Sequence, residues 1–226
     1  MDAQTPNGEE RMAGEPVEEP TAEELSLPQA FLLLVTNDAD GEPEVPAYLL
    51  RTTLAGSVLA ELELIGAIGL QGKHVRATGG TPQTEFEHQL ELIRHKSRPH
   101  TPKRWVSMLE GRAEVQRVLE GLASRGIVDQ VGERHLGLFR TVRYPEKDHA
   151  PEAAIRQKIQ AALDGKPSDA RTTALVALLE AAGLLDKLFP AADRIQAREL
   201  AKDYWPARAV ADELRMIRLA EAEATT

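Results

Sequence analysis

Apolar residues recur along this chain in blocks that close on glycine: TLAGSVLAELELIGAIGL at residues 53–70, RVLEGLASRGIVDQV from Arg117, and ALVALLEAAGLLDKLF from Ala174. In the first block Leu54, Val58, Leu62 and Ile65 share one stripe at about 100° per residue, and Gly66 is placed to act as a left-handed cap. The pattern predicts a helix from Thr53. Glu61 sits near the middle of its apolar stripe, where a carboxylate is costly unless bonded or paired. Further helices are predicted over residues 84–96, 104–110, 112–125, 151–164, 169–188 and 191–221, the last interrupted near Pro206. Asp169 is a good N-cap, and Gly183 interrupts or ends the helix that follows it.

The remaining segments carry turn chemistry. Leu27 to Val35 is apolar and runs into Asp38-Ala39-Asp40-Gly41, so a helix with a short turn and a strand hairpin both fit. LQGKHVRATGGTPQ reads as short strand or loop material turning at Gly79-Gly80. IVDQVGERHLGLFRTVRYP reads as a β-hairpin turning at Gly132. The content is mainly helical, and the spacing of the glycine-ended blocks is too irregular for a solenoid.

The chain has 226 residues, enough for one large domain or two small ones with a sizeable core. It has no cysteine, which removes disulfides, thiol nucleophiles and cysteine-bearing zinc sites. No stretch reaches the ~18 apolar residues of a membrane span, and the acidic, proline-containing start lacks the character of a secretory signal. A cytoplasmic protein, peripheral on the inner face of the membrane or not, is expected.

The net charge of −9 is unevenly spread. Residues 1–24 hold eight acids against Arg11 and read as a disordered tail, leaving an ordered domain over 25–222. Residues 94–143 hold eleven Lys/Arg against five Asp/Glu, a basic middle that could face anionic lipid or nucleic acid, or be a solvated helix surface. The acidic tail could fold back and mask it.

Motifs for catalysis are missing: there is no phosphate loop, nucleophile elbow, H-E-x-x-H or dinucleotide fingerprint. No catalytic residue and no cofactor are assigned, and the chain reads as a non-enzyme. No metal is assigned either. His88 and His95 lie two turns apart, roughly 10 Å along a helix, and a calcium loop opening at Asp38 would need a glutamate where Leu49 stands.

Three quoted segments carry a resemblance to the Golgi phosphoprotein 3 family, in particular its bacterial members of actinobacterial type. LPQAFLLLVTNDADGE resembles the family's opening helix and turn. TLAGSVLAELELIGAIGL resembles its signature helix, and DARTTALVALLEAAGLLDKLF its late D-x-R-T helix at Asp169, Arg171 and Thr172. VLEGLASRGIVDQV and LFRTVRYP are similar to its central helix and hairpin, so the resemblance spans about residues 25–218. It implies a single, mainly α globular domain with peripheral β-hairpins.

Eukaryotic members of that family are peripheral Golgi membrane proteins that bind phosphatidylinositol 4-phosphate and hold glycosyltransferases by their cytoplasmic tails. Their headgroup pocket uses a tryptophan and an arginine flanking the start of the signature helix, plus two arginines three apart on the central helix. Those positions fall here on Pro46, Ala55, Arg112 and Val115, so one of the four is kept. Tyr48, Arg51 and Arg117 could build a different anion site with Arg112. A family hairpin inserts into the membrane or mediates self-association, which marks Arg140, Arg143 and Tyr144 as membrane-facing candidates. Glu61, Asp169 and Arg171 are polar residues at helices of the two signature segments and are expected to share a buried polar network.

Three functions follow as expectations. The first is a peripheral membrane or adaptor protein meeting anionic phospholipid headgroups, with cytoplasmic tails of membrane enzymes or other proteins as partners. The second is a cytosolic protein-interaction scaffold without lipid binding. The third, less favoured, is a winged-helix-like nucleic-acid binder, in which Glu114 and Glu120 on the helix would repel phosphate.

Overall fold

The computed structural model describes residues 24–80, 82–135 and 139–224. The predicted tail lies outside them, apart from Glu24.

The chain opens with α1 (Leu27–Val35), a nine-residue helix in which every residue is buried. Pro28 occupies the first turn, where a missing N–H costs nothing, and Ser26 N–H donates to Gln29 Oε1 at 3.2 Å. Thr36 and Pro43 form an isolated antiparallel bridge around the Asp38–Gly41 turn, so the helical alternative holds. Next comes α2 (Ala47–Leu64), longer than predicted and buried on nearly all sides. It starts six residues before Thr53 because Leu49 and Leu50 already pack into the core. The polar run Arg51-Thr52-Thr53 resembled a helix start, but Thr52 is buried and hydrogen-bonded. Gly66, at φ +72°, and the Ala67 N–H to Leu62 O bond close the helix.

An antiparallel hairpin, β1 (Ile68–Gln71) and β2 (His74–Ala77), follows directly, pairing Ile68 with Ala77 and Gln71 with His74. Its turn is Gly72-Lys73, with Gly72 at φ +63°, rather than Gly79-Gly80, which lie beyond it. Then come α3 (Glu87–Arg94), α4 (Pro102–Leu109), capped by Thr101, and α5 (Arg112–Ser124). A second hairpin pairs β3 (Val131–His135) with β4 (Phe139–Arg143). Gly132 pairs with Val142 inside it, so Gly132 is a strand residue rather than the turn.

The last third is helical: α6 (Ala150–Leu163), α7 (Ala170–Ala182), α8 (Leu185–Leu188), α9 (Arg194–Ala201) and α10 (Trp205–Ala224). Gly183, at φ +73°, separates α7 from α8. The predicted final helix is two helices, and the break at Asp203 (φ +61°) precedes Pro206, which sits harmlessly in the first turn of α10. The result is a mainly α domain with two small hairpins.

The core is built around α2, which packs against α1, α4, α7 and α10, while α1 also meets α5, α6 and α7. Gly56 lets α10 approach α2 closely. A Cβ there would lie 2.0 Å from Val210 Cγ2 of α10. Val is stiff at χ1, so α10 itself would have to retreat. Gly56→Ala should therefore cost about 1–3 kcal/mol in urea unfolding, and adding Val210→Ala should recover part of it. Equal stability of Gly56→Ala and wild type would refute that packing.

Candidate functional site

Glu61 is buried inside α2, and two groups converge on it with three hydrogen bonds. Arg171 Nη1 and Nη2, on the first turn of α7, donate to its two oxygens at 2.6 and 3.1 Å. Leu27 N–H, at the start of α1, donates to Oε2 at 2.7 Å. An amide at a helix N-terminus has no partner within the helix, and the partial positive charge there favours an anion. The carboxylate thus caps α1 and anchors α7 at once. Arg171 also donates to Leu25 O at 3.3 Å and lies 3.5 Å from Glu24. Burial works against its charged form, but the bonds to Glu61 outweigh it and hold the guanidinium pKa above its ordinary value. No hydrogen bond joins Asp169 to Glu61 among the described residues, although the Asp169 charge helps hold Arg171 protonated. Asp169 caps α7, accepting from Thr172 N–H at 2.6 Å, and faces Lys158.

The four headgroup candidates are not drawn into one pocket. Arg112, exposed at the start of α5, and half-buried Arg51 of α2 approach the same junction, because Thr52 donates to Glu110 Oε1 at 3.0 Å. That junction also holds carboxylates. Burial pushes the Glu110 carboxyl up, with Glu213 adding to the shift and Arg51 opposing it. Arg117 is turned toward α3, bound to Glu114, which also accepts from Gln89 at 2.7 Å. Tyr48 is packed against the core. Of the two lost arginine positions, Ala55 and Val115 are both buried.

The hairpin candidates divide. Tyr144 is 2% exposed and bonded to Gln116, so its assignment as a membrane-facing residue is corrected: the ring packs inward where β4 leaves the sheet. Arg143 pairs with Glu42 at 3.0 Å. The side chain of Arg140 lies outside the described residues.

A different cationic surface emerges where β1–β2 folds against the α3–α4 loop. Val75 N–H donates to His100 O at 2.9 Å, and the His100 ring meets Trp105 edge-on at 5.6 Å. Desolvation lowers the His100 pKa, and so do nearby Lys96, Arg104 and His74. Arg76 and Lys96 line one surface cavity of 300 Å³. Lys73 and Lys103 line another of 530 Å³ with Leu70, Trp205 and Met216. None of Lys73, Arg76, Lys96, Arg98, Lys103 and Arg104 pairs with a carboxylate of the described residues. Leu70 and Met216 are exposed among them. Four of these cations belong to the basic middle read from the sequence; Lys73 and Arg76 join them only through the hairpin.

Two outcomes are expected. Glu61→Ala takes the main partner from the half-buried Arg171 guanidinium, which keeps Leu25 O and Glu24, and leaves the Leu27 amide unpaired, so it should lower stability by about 2–3 kcal/mol in denaturant titration; an unchanged midpoint would contradict the pairing. Stability should also vary with pH in a set direction. Burial raises the carboxyls of Glu63, Glu85 and Glu110, so the fold takes up those protons before the unfolded chain does. Through these carboxyls stability should rise as pH falls from neutral toward the ordinary carboxylate range, opposed by His100, whose lowered pKa lets the unfolded chain take up that proton first. Below that range it should fall. Glu44, lowered by Asn37 and Lys187, and Asp169, where the Thr172 bonds outweigh burial, then lose their contributions. Unfolding midpoints across pH check both limbs.

No curated protein matches the chain. A family model described as Golgi phosphoprotein 3 (GPP34) matches residues 27–217, from the first residue of α1 to well into α10. With that span covering most of its length, the chain belongs to the Golgi phosphoprotein 3 family.

Proposed function

We propose that this protein is a peripheral, non-enzymatic binder of anionic phospholipid surfaces, docking through the β1–β2 and α3–α4 face. The observation that carries the reading is the set of six cations on that face that pair with no carboxylate of the described residues, in a chain whose net charge is −9. Exposed Leu70 and Met216 add apolar contact at the same place. No helix among the described residues is long and apolar enough to cross a membrane, so attachment would be from one side. Family membership supports a lipid-headgroup role. Pro46, Ala55 and Val115 argue for recognition by charge rather than by a phosphatidylinositol 4-phosphate pocket, because a phosphate monoester is best held by several converging charged donors. A protein partner, such as the cytoplasmic tail of a membrane enzyme, would be held at that surface.

Cosedimentation with vesicles tests this. The full chain should bind phosphatidylglycerol-containing vesicles and not neutral ones, with binding lost at high salt. Each cation near the surface contributes about 1 kcal/mol. Lys96→Glu, Arg98→Glu, Lys103→Glu and Arg104→Glu together should then weaken binding by roughly a thousandfold at low salt. Phosphatidylinositol 4-phosphate at equal charge should bring no advantage. Unchanged binding by the quadruple variant, or equal binding to neutral vesicles, would contradict the reading.

A further inference from the structure

A second cluster, unrelated to the cationic face, sits at the base of the β3–β4 hairpin. Asp38 comes from the turn after α1, Glu146 from the segment leaving β4, and His149 from the residue preceding α6. His149 Nδ1 lies 2.6 Å from Glu146 Oε2 and 3.8 Å from Asp38 Oδ2, and one ligand atom from each of the three falls within 4.8 Å of the others. The backbone fixes this meeting. Glu146 N–H donates to Asp38 O at 2.9 Å, and Glu146 bridges Val128. Gly41, at φ +68°, lies so close to Tyr144 that a Cβ would stand 2.2 Å from its carbonyl carbon. The turn and the segment leaving β4 are therefore held together independently of the three side chains.

A separate observation points to a ligand. The Glu146 side chain is 4% exposed, and its Oε1 accepts no hydrogen bond from the described residues. Glu152, in the first turn of α6, is 7% exposed, and its Oε2 likewise accepts none. Arg156 holds only the other Glu152 oxygen. Asp38, Glu146 and Glu152 line one small cavity of about 10 Å³, walled by Leu32, Leu122 and Val128. Carboxylate oxygens buried without donors are costly, and a cation is the partner that would satisfy several at once.

We propose that Asp38, Glu146 and His149, backed by Glu152, bind one divalent transition-metal ion of the Zn²⁺ or Mn²⁺ type. An ion about 2.0–2.2 Å from each ligand sets neighbouring ligand atoms roughly 3–3.6 Å apart; the two distances from His149, 2.6 and 3.8 Å, lie on either side of that spacing, and the three atoms fall within 4.8 Å, so small side-chain rotations close the site. The imidazole nitrogen favours Zn²⁺, the carboxylate oxygens also suit Mn²⁺, and a mixed nitrogen–oxygen set is not the all-oxygen shell that Ca²⁺ and Mg²⁺ take. On binding, His149 releases any Nδ1 proton to solvent and turns its lone pair to the ion, while Asp38 and Glu146 each supply an oxygen. The ion would staple the α1–α2 turn, the hairpin base and the start of α6.

Calorimetric titration of the chelator-stripped full chain with Zn²⁺, Mn²⁺, Ca²⁺ and Mg²⁺, one at a time, tests this. One Zn²⁺ or Mn²⁺ per chain is expected. Asp38→Asn with His149→Gln changes two exposed side chains and should leave the circular dichroism spectrum unchanged. It should weaken uptake by roughly a hundredfold or more, since even outer-shell losses cost 10–100-fold. Removing the histidines of α3, by His88→Gln and His95→Gln, should not affect uptake. The proposal is overturned by absence of saturable Zn²⁺ or Mn²⁺ uptake. It is equally overturned by uptake that survives the Asp38/His149 change, or by a preference for Ca²⁺ or Mg²⁺.

Discussion

The arrangement of the helices depends on where the Glu61 carboxylate finds its partners. A charge in the middle of an apolar helix is tolerable only when bonded, and here the bonds come from two other elements. The Leu27 amide fixes the start of α1, and the Arg171 fork fixes the start of α7. Because a bidentate guanidinium–carboxylate pair is directional, it specifies how α7 lies on α2 more narrowly than aliphatic packing would. The same contact lets α1 be buried along its whole length without leaving that terminal amide unpaired. The remaining helices then close over an aliphatic core, with Gly56 allowing α10 to approach α2.

Charge is sorted around this frame. Many cations elsewhere are spent on local pairs, such as Arg117 with Glu114, Arg143 with Glu42 and Arg194 with Asp186. On the β1–β2 and α3–α4 face Arg94 is paired with Glu91, but Lys73, Arg76, Lys96, Arg98, Lys103 and Arg104 meet no carboxylate of the described residues, next to exposed Leu70 and Met216. Such a combination suits a surface that meets an anionic, partly apolar plane. The base of the β3–β4 hairpin shows the opposite balance, with carboxylates crowded about one imidazole. The two regions thus favour ligands of opposite charge.

Much of the fold could be read from the chain, for identifiable reasons. Glycines after aliphatic runs marked real helix ends at Gly66, Gly126 and Gly183, all at positive φ. The demand of Glu61 and Arg171 for polar partners was also visible, but not the Leu27 amide, which only folding brings within reach. Local polarity misled elsewhere. Arg51-Thr52-Thr53 concealed the first part of α2, because a buried Thr52 takes its partner from Glu110, 58 residues away. Tyr144 carried an interfacial composition yet packs inward. Net charge located a basic segment, but the surface it forms includes Lys73 and Arg76 from a hairpin outside that segment. Asp38, Glu146 and His149 gave no spacing signal, since three separate segments supply them.

The absence of cysteine makes a direct test of the docking face simple. Single cysteines at Leu70, Met216 and Lys147, each carrying an environment-sensitive fluorophore, would report which side enters a lipid interface. Adding anionic vesicles should shift the emission of the labels at 70 and 216 to the blue and leave the label at 147, beside the β3–β4 hairpin base, unchanged. A shift at 147 with silence at 70 and 216 would contradict the cationic face as the membrane-contacting surface.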